Sequence, residues 1–143
     1  MKNICLILFI LTTITLACKA QDKVISSQYL PEKIQAYIKA HFPKQSVLQA
    51  VKDREGLKTT YEVSLKDLTK LEFSSKGKVF EIDGKSKLPD SVIPAEIRAY
   101  TQAKHPKNFI KSWEKDSQGQ TVELNNGLDL EFDLKGNFLR YDN

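Results

Sequence analysis

Two histidines, one run of alternating carboxylates and a few aromatic and arginine side chains are the groups in this sequence that could do chemistry. His41 and His105 are its only histidines. Each falls where a helical pattern ends, beside Pro43 or Pro106. A helix C-terminus favours positive charge there, so capping or surface roles fit both. Neither has cysteine or histidine neighbours at metal-ligand spacing. Asp129, Glu131 and Asp133 alternate along one stretch and would share a strand face, which raises calcium as a ligand. The twelve-residue EF-hand spacing is absent, however, and a strand holds alternate carboxylates about 7 Å apart. Pairing with lysines or plain solvation fits them better.

No Gly-x-Ser-x-Gly elbow and no phosphate-cradling glycine loop occurs, and neither histidine has an orienting acid beside it. The expectation is a noncatalytic protein with no cofactor and no metal site. Binding is better provided for. Trp113 is the leading candidate for a partner contact, because aromatic and arginine residues anchor interfaces. Simple alternation along the last strand places Phe138 and Arg140 outward and Leu139 and Tyr141 inward, with Val79 the first-copy counterpart. These four, Trp113, Phe138, Arg140 and Val79, form the expected partner-binding set. Trp113 also suits a small core, and a bulge would turn Phe138 inward.

The elements that position these residues begin after a secretory signal. Residues 1–20 have a basic start at Lys2, an apolar run from Ile4 to Leu16, and small residues at Ala17, Cys18 and Ala20. The run is shorter than the about 20 apolar residues that a spanning helix needs. Two processing sites compete. Thr15-Leu16-Ala17-Cys18 resembles a lipobox, with Cys18 the candidate lipidation site, although leucine stands one place late. Cys18-Lys19-Ala20 before Gln21 suits ordinary signal peptidase. Export to the periplasm or cell envelope is expected either way, and Cys18 is the only route to a membrane.

The two cysteines, Cys5 and Cys18, both lie in that segment, so the exported fold has no disulfide and no thiolate. Loss of Lys2 and Lys19 takes the 22 basic residues to 20 against 18 acids, a net charge of about +2. Lysines are scattered among carboxylates, unlike the basic stripe that neutralises nucleic-acid phosphates. Nucleic acid is therefore not an expected partner. An envelope protein or peptide is.

An internal repeat organises the rest. Leu30-Pro31-Glu32-Lys33-Ile34-Gln35-Ala36-Tyr37 is echoed 63 residues later by Ile93-Pro94-Ala95-Glu96-Ile97-Arg98-Ala99-Tyr100. Asp53 and Gly56 match Asp116 and Gly119 at the same offset, and after a short deletion Leu71-Glu72-Phe73 matches Leu130-Glu131-Phe132. Each copy opens with apolar residues at helical spacing and continues with period-two strands divided by Gly-containing turns. Copies at residues 28–84 and 90–143 are expected. Each lays one helix on a four-stranded antiparallel sheet, and the two sheets join edge to edge. That gives an α+β fold with eight strands, both helices on one face and the other face open.

The doubled order resembles the PepSY-like, β-lactamase-inhibitor-like family of secreted Bacteroidetes proteins. Its carriers are Leu30-Pro31 through Phe42-Pro43, Tyr61-Glu62-Val63, Leu71-Glu72-Phe73 and Gly77 through Ile82-Asp83. The second copy adds Ile93-Pro94 through His105-Pro106, Val122-Glu123-Leu124, Asn126-Gly127 and Leu130-Glu131-Phe132 through Gly136. The resemblance implies tandem helix-plus-sheet modules like those of β-lactamase inhibitory proteins, which bind a partner enzyme across a sheet. Two other readings stand beside it: a lipid-tethered structural or ion-binding envelope protein, and an enzyme whose turnover would depend on His41 or His105.

Overall fold

The computed structural model describes residues 22–142. Residues 1–20, where a secretory signal is expected, and Cys18, the candidate lipidation site, lie outside the described residues. Nine strands run β1 Lys23–Ile25, β2 Val47–Glu55, β3 Lys58–Leu65, β4 Lys70–Ser74, β5 Val79–Asp83, β6 Ile110–Lys115, β7 Gln120–Leu124, β8 Asp129–Phe132 and β9 Phe138–Asp142. They form one antiparallel sheet in sequence order. Helix α1 spans Glu32–His41 and α2 spans Ala95–Lys104, each 10 residues long. Two four-stranded repeats thus make one continuous sheet, with β1 added at its edge.

Each helix starts at a proline, whose missing N–H is no loss in a first turn. The Pro31 carbonyl accepts from the Ile34 and Gln35 amides, and the Pro94 carbonyl from the Arg98 amide. Positions four apart, the apolar Ile34 and Ile38 in α1 and Ile97 with the hydroxyl-bearing Thr101 in α2, supply the buried stripes.

Cross-strand partners share a face, so register fixes what the helices cover. Leu71 pairs with Ile82, Ile82 with Trp113, Trp113 with Val122 and Val122 with Leu130. All five are buried. On this same face Tyr37 of α1 meets Phe73 edge-on at 5.5 Å, and Tyr100 of α2 meets Phe132 edge-on at 5.6 Å. The two helices therefore sit on one side of the sheet through the same contact made twice.

Eight strands were expected because Lys23–Ile25 is too short to show alternation. Its docking is nevertheless regular. Ile25 pairs with Ala50 of β2 just as Ile82 pairs with Trp113, the residue 63 positions beyond Ala50, in β6. So β1 covers the edge of β2 in the register that β5 uses on β6. The deletion in the second copy falls in the hairpin β6–β7, whose strands have 6 and 5 residues against 9 and 8 in β2 and β3. Gly56 and Gly119 are consequently not equivalent. Gly56 turns the long hairpin at φ +59, whereas a Cβ on Gly119 would lie 2.5 Å from the Phe132 carbonyl oxygen. Asp116 tightens the short hairpin by accepting from the Gln118 and Gly119 amides at 2.7 and 2.9 Å. Those bonds hold its carboxyl below the ordinary range, the one from Gly119 contributing most.

The turns β4–β5 and β8–β9 lie against the helix starts. Gly77 (φ +73) and Gly136 (φ +90) are left-handed, and a Cβ there would approach the Cβ atoms of Lys33 and Glu96 to 2.9 and 2.8 Å. Gly127 (φ +82) has open space around the same position. Gly136→Ala should therefore cost clearly more than Gly127→Ala, which carries only the left-handed penalty of about 1 kcal/mol. Equal losses in denaturant unfolding would contradict this close approach.

Candidate functional site

The uncovered face carries the side chains between the buried ones. Pairing in register brings Glu62 beside Glu72, Glu72 beside Glu81, and Glu81 beside Glu114, on four neighbouring strands. The row continues through Thr121 and Glu131 to Arg140. A second row runs from Lys70 through Asp83, Ser112, Glu123 and Asp129 to Asp142. A chain with an overall positive charge thus concentrates carboxylates on one surface.

The two halves of this surface differ in how the charge is met. In the second repeat, Lys111 Nζ lies 2.7 Å from Glu123 and Arg140 lies 2.8 Å from Glu131. Glu62, Glu72, Glu81 and Glu114 make no salt bridge among the described residues. Cross-strand like charges repel, and part-buried carboxyls resist ionisation. Burial first, then the neighbouring glutamates, pushes Glu72 above the ordinary carboxyl range, with Lys58 and Lys70 pulling the other way. Glu81 is raised in the same manner by burial and by Glu72, Glu114, Asp83 and Glu62.

Apolar side chains interrupt the row at two equivalent places, and both correct the sequence expectation. A β-bulge sets two residues of β9, Leu139 and Arg140, against Glu131, so that Phe138 pairs with Phe132. Phe138 therefore turns inward and stacks on Tyr100 at 4.5 Å. Tyr141, paired with Leu130, also lies on the helix side. Leu139 faces outward with Arg140. The bulge in β5 does the same, pairing Val79 with Phe73 and leaving Phe80 beside Glu81. Val79 packs against the core. A one-residue slip reverses every side chain before it.

Trp113 is likewise not on the open face. It is buried, and its indole Nε1 donates to Gln120 Oε1 at 3.1 Å. Gln120 in turn donates to the Asp133 and Leu134 carbonyls. Of the expected partner-binding set, only Arg140 lies on the open face. Phe80 and Leu139 take the places assigned to Val79 and Phe138. Phe80 lines a depression of about 420 Å³ with Leu57, Lys58, Thr60 and Glu114, and Leu139 lines one of about 360 Å³ with Glu114, Thr121, Glu131 and Arg140.

The remaining candidates have structural partners. His41 Nδ1 is 2.9 Å from Ser91 Oγ and its ring packs on Tyr37. His105 caps α2 through its amide and lies edge-on to Tyr141. Asp133 is separated from Asp129 and Glu131 by its role in the β8–β9 turn, where it accepts from the Lys135 and Asn137 amides and the Asn137 side chain, each at 2.8 Å. These bonds, led by the Asn137 side chain, hold it below the ordinary carboxyl range. Among the described residues, no group of three histidines, cysteines or acids is arranged to hold a metal ion.

This duplicated helix-on-sheet architecture is matched by sequence as well. Residues 15–81 and 59–140 each match the family described as "Putative beta-lactamase-inhibitor-like, PepSY-like". The chain belongs to this family. Three solved structures from Bacteroides share its fold, each with a TM-score of 0.81. One, from Bacteroides thetaiotaomicron and described as a "putative calcium-regulated periplasmic protein", is 35% identical over 85% of this chain and 97% of its own. A Bacteroides vulgatus protein described as a "putative periplasmic protein" is 33% identical over 85% and 97%. Another from the same species, described as a "putative periplasmic protein of unknown function", is 31% identical over 86% and 100%. No curated protein matches the chain.

The raised carboxyls of this PepSY-like protein give a pH dependence of definite sign. A carboxyl whose folded pKa lies above its unfolded value favours the folded state while protonated, and that contribution is lost as pH rises through the folded pKa. The double variant Glu72→Gln, Glu81→Gln should therefore melt higher than wild type near neutral pH. Its advantage should disappear as pH falls below the ordinary glutamate value of 4.5. An advantage that persists in acid would point to a cause other than charge.

Proposed function

We propose that this chain is a noncatalytic periplasmic binding protein whose open sheet face holds a basic segment of a partner protein. The observation that carries the reading is the in-register row Glu62, Glu72, Glu81 and Glu114, with no salt-bridge partner among the described residues. Burial, and after it the neighbouring acids, raise Glu72 and Glu81, and lysine or arginine side chains laid across the strands would offset the repulsive part. Phe80 and Leu139 supply apolar contact beside the charges, and an arginine over the Phe80 ring would gain further from its π face. The signal-like pattern of residues 1–20 supports the periplasmic setting, as do the descriptions of the three structural neighbours.

A basic peptide with interspersed leucines, titrated calorimetrically into the protein, should bind at low salt and weaken as salt rises. Glu72→Gln with Glu81→Gln should lower affinity about tenfold or more, as should Phe80→Ala. Arginine-rich peptide binding that ignores all three substitutions would sink the reading.

A second reading is favoured by the neighbour described as calcium-regulated. Cross-strand Glu72 and Glu81 could share a divalent cation, with water completing its shell. Calcium at millimolar concentration should then raise the melting temperature of wild type but not of the double glutamine variant. An identical calcium response in both proteins would remove this face as the ion's site.

A further inference from the structure

The free edge of the sheet offers a second binding surface, independent of the acidic face. β9 pairs with β8 on one side, and its other side has no strand among the described residues. Its counterpart in the first repeat is β5, because the same bulge aligns Val79 with Phe138, Glu81 with Arg140, Ile82 with Tyr141 and Asp83 with Asp142. The outer edge of β5 is occupied by β6, with Ser112, Trp113 and Glu114 opposite Asp83, Ile82 and Glu81. The molecule therefore contains a worked example of what docks on this edge. Ile82 is 0% exposed under that cover, whereas Tyr141 is 45% exposed. At the other end of the sheet, β1 docks on β2 in the corresponding register with three residues, so a short strand is enough.

We infer that β9 accepts an extended, antiparallel peptide strand of a partner, carrying a bulky apolar residue opposite Tyr141 and an acidic residue opposite Arg140. Backbone hydrogen bonds along an exposed sheet edge supply affinity in this mode, and alternate side chains supply selectivity. On the helix side, the apolar residue meets the aromatic tier in which Tyr100 stacks on Phe138 and Tyr141 lies against both Phe138 and His105. On the open side, the chain's own seam sets Glu81 against Glu114, but β9 presents Arg140 where β5 has Glu81. An incoming glutamate there meets a cation instead of a second carboxylate. A strand with the pattern of β6 thus suits the free edge better by charge than the edge it occupies in the chain.

The test uses the full chain and a synthetic peptide with the β6 sequence Ile110–Lys115. Nuclear magnetic resonance titration should show saturable shifts and slowed amide exchange in Phe138–Asp142, with affinity in the range of about 10 to 500 μM. Replacing the peptide's tryptophan by serine should abolish binding. Arg140→Glu in the protein should weaken binding about tenfold, and a peptide with lysine in place of its glutamate should recover it on that variant alone. This rescue requires a folded protein, so misfolding cannot imitate it. No shift at millimolar peptide, shifts confined to the glutamate row, or self-association of the protein through β9 in place of peptide binding would each overturn the inference. Failure of the acidic-face reading leaves this experiment intact, because its readouts are shifts in Phe138–Asp142 and rescue at Arg140, neither of which involves the glutamate row.

Discussion

Everything this molecule presents to its surroundings depends on the seam between β5 and β6. Three residue pairs there, Glu81 with Glu114, Ile82 with Trp113 and Asp83 with Ser112, turn two small sheets into one. A repeat of this size buries too little to be secure alone, and joining the edges lets Trp113 fill the core beside Ile82. The same three pairs align the face positions of both repeats. Burial on one side and a continuous row of glutamates on the other are two results of one register.

That register also sets the tension in the fold. The seam places two carboxylates side by side in its outward row, where repulsion works against the hydrophobic contact behind it. The second repeat pairs Glu123 with Lys111 and Glu131 with Arg140, while Glu62, Glu72, Glu81 and Glu114 have no salt bridge among the described residues. An arrangement that stores repulsion on an exposed surface, over a core that tolerates it, is what a cation-seeking surface requires. The proposed binding role and this residual instability thus rest on the same side chains.

Much of this was legible in the sequence because the chain says most things twice. The helices, the antiparallel order and the single covered face followed from periodicity and the 63-residue echo, and the family resemblance rests on the doubled motifs themselves. The face of individual residues near β5 and β9 was not legible. Period-two alternation assumes an unbroken ladder, and the bulges at Glu72 and Glu131 exchange Val79 for Phe80 and Phe138 for Leu139. The glutamate row was hidden for a related reason. Its members are at least nine residues apart in sequence and become neighbours only through strand register. The place of Trp113 was not legible because its indole N–H finds a buried partner in Gln120, seven residues on, across the β6–β7 hairpin. The β1 strand gave no signal of its own, being three residues long.

The unequal hairpins make the two halves of the surface inequivalent. β2 and β3 extend about three residues beyond the ends of β6 and β7, a step of roughly 10 Å at ordinary strand rise, and fully exposed Leu57 stands at its tip. Two tiles repeated by translation would offer the same footing twice. The ledge on the first tile removes that degeneracy, so a body spanning one tile would meet two different places and not one place repeated.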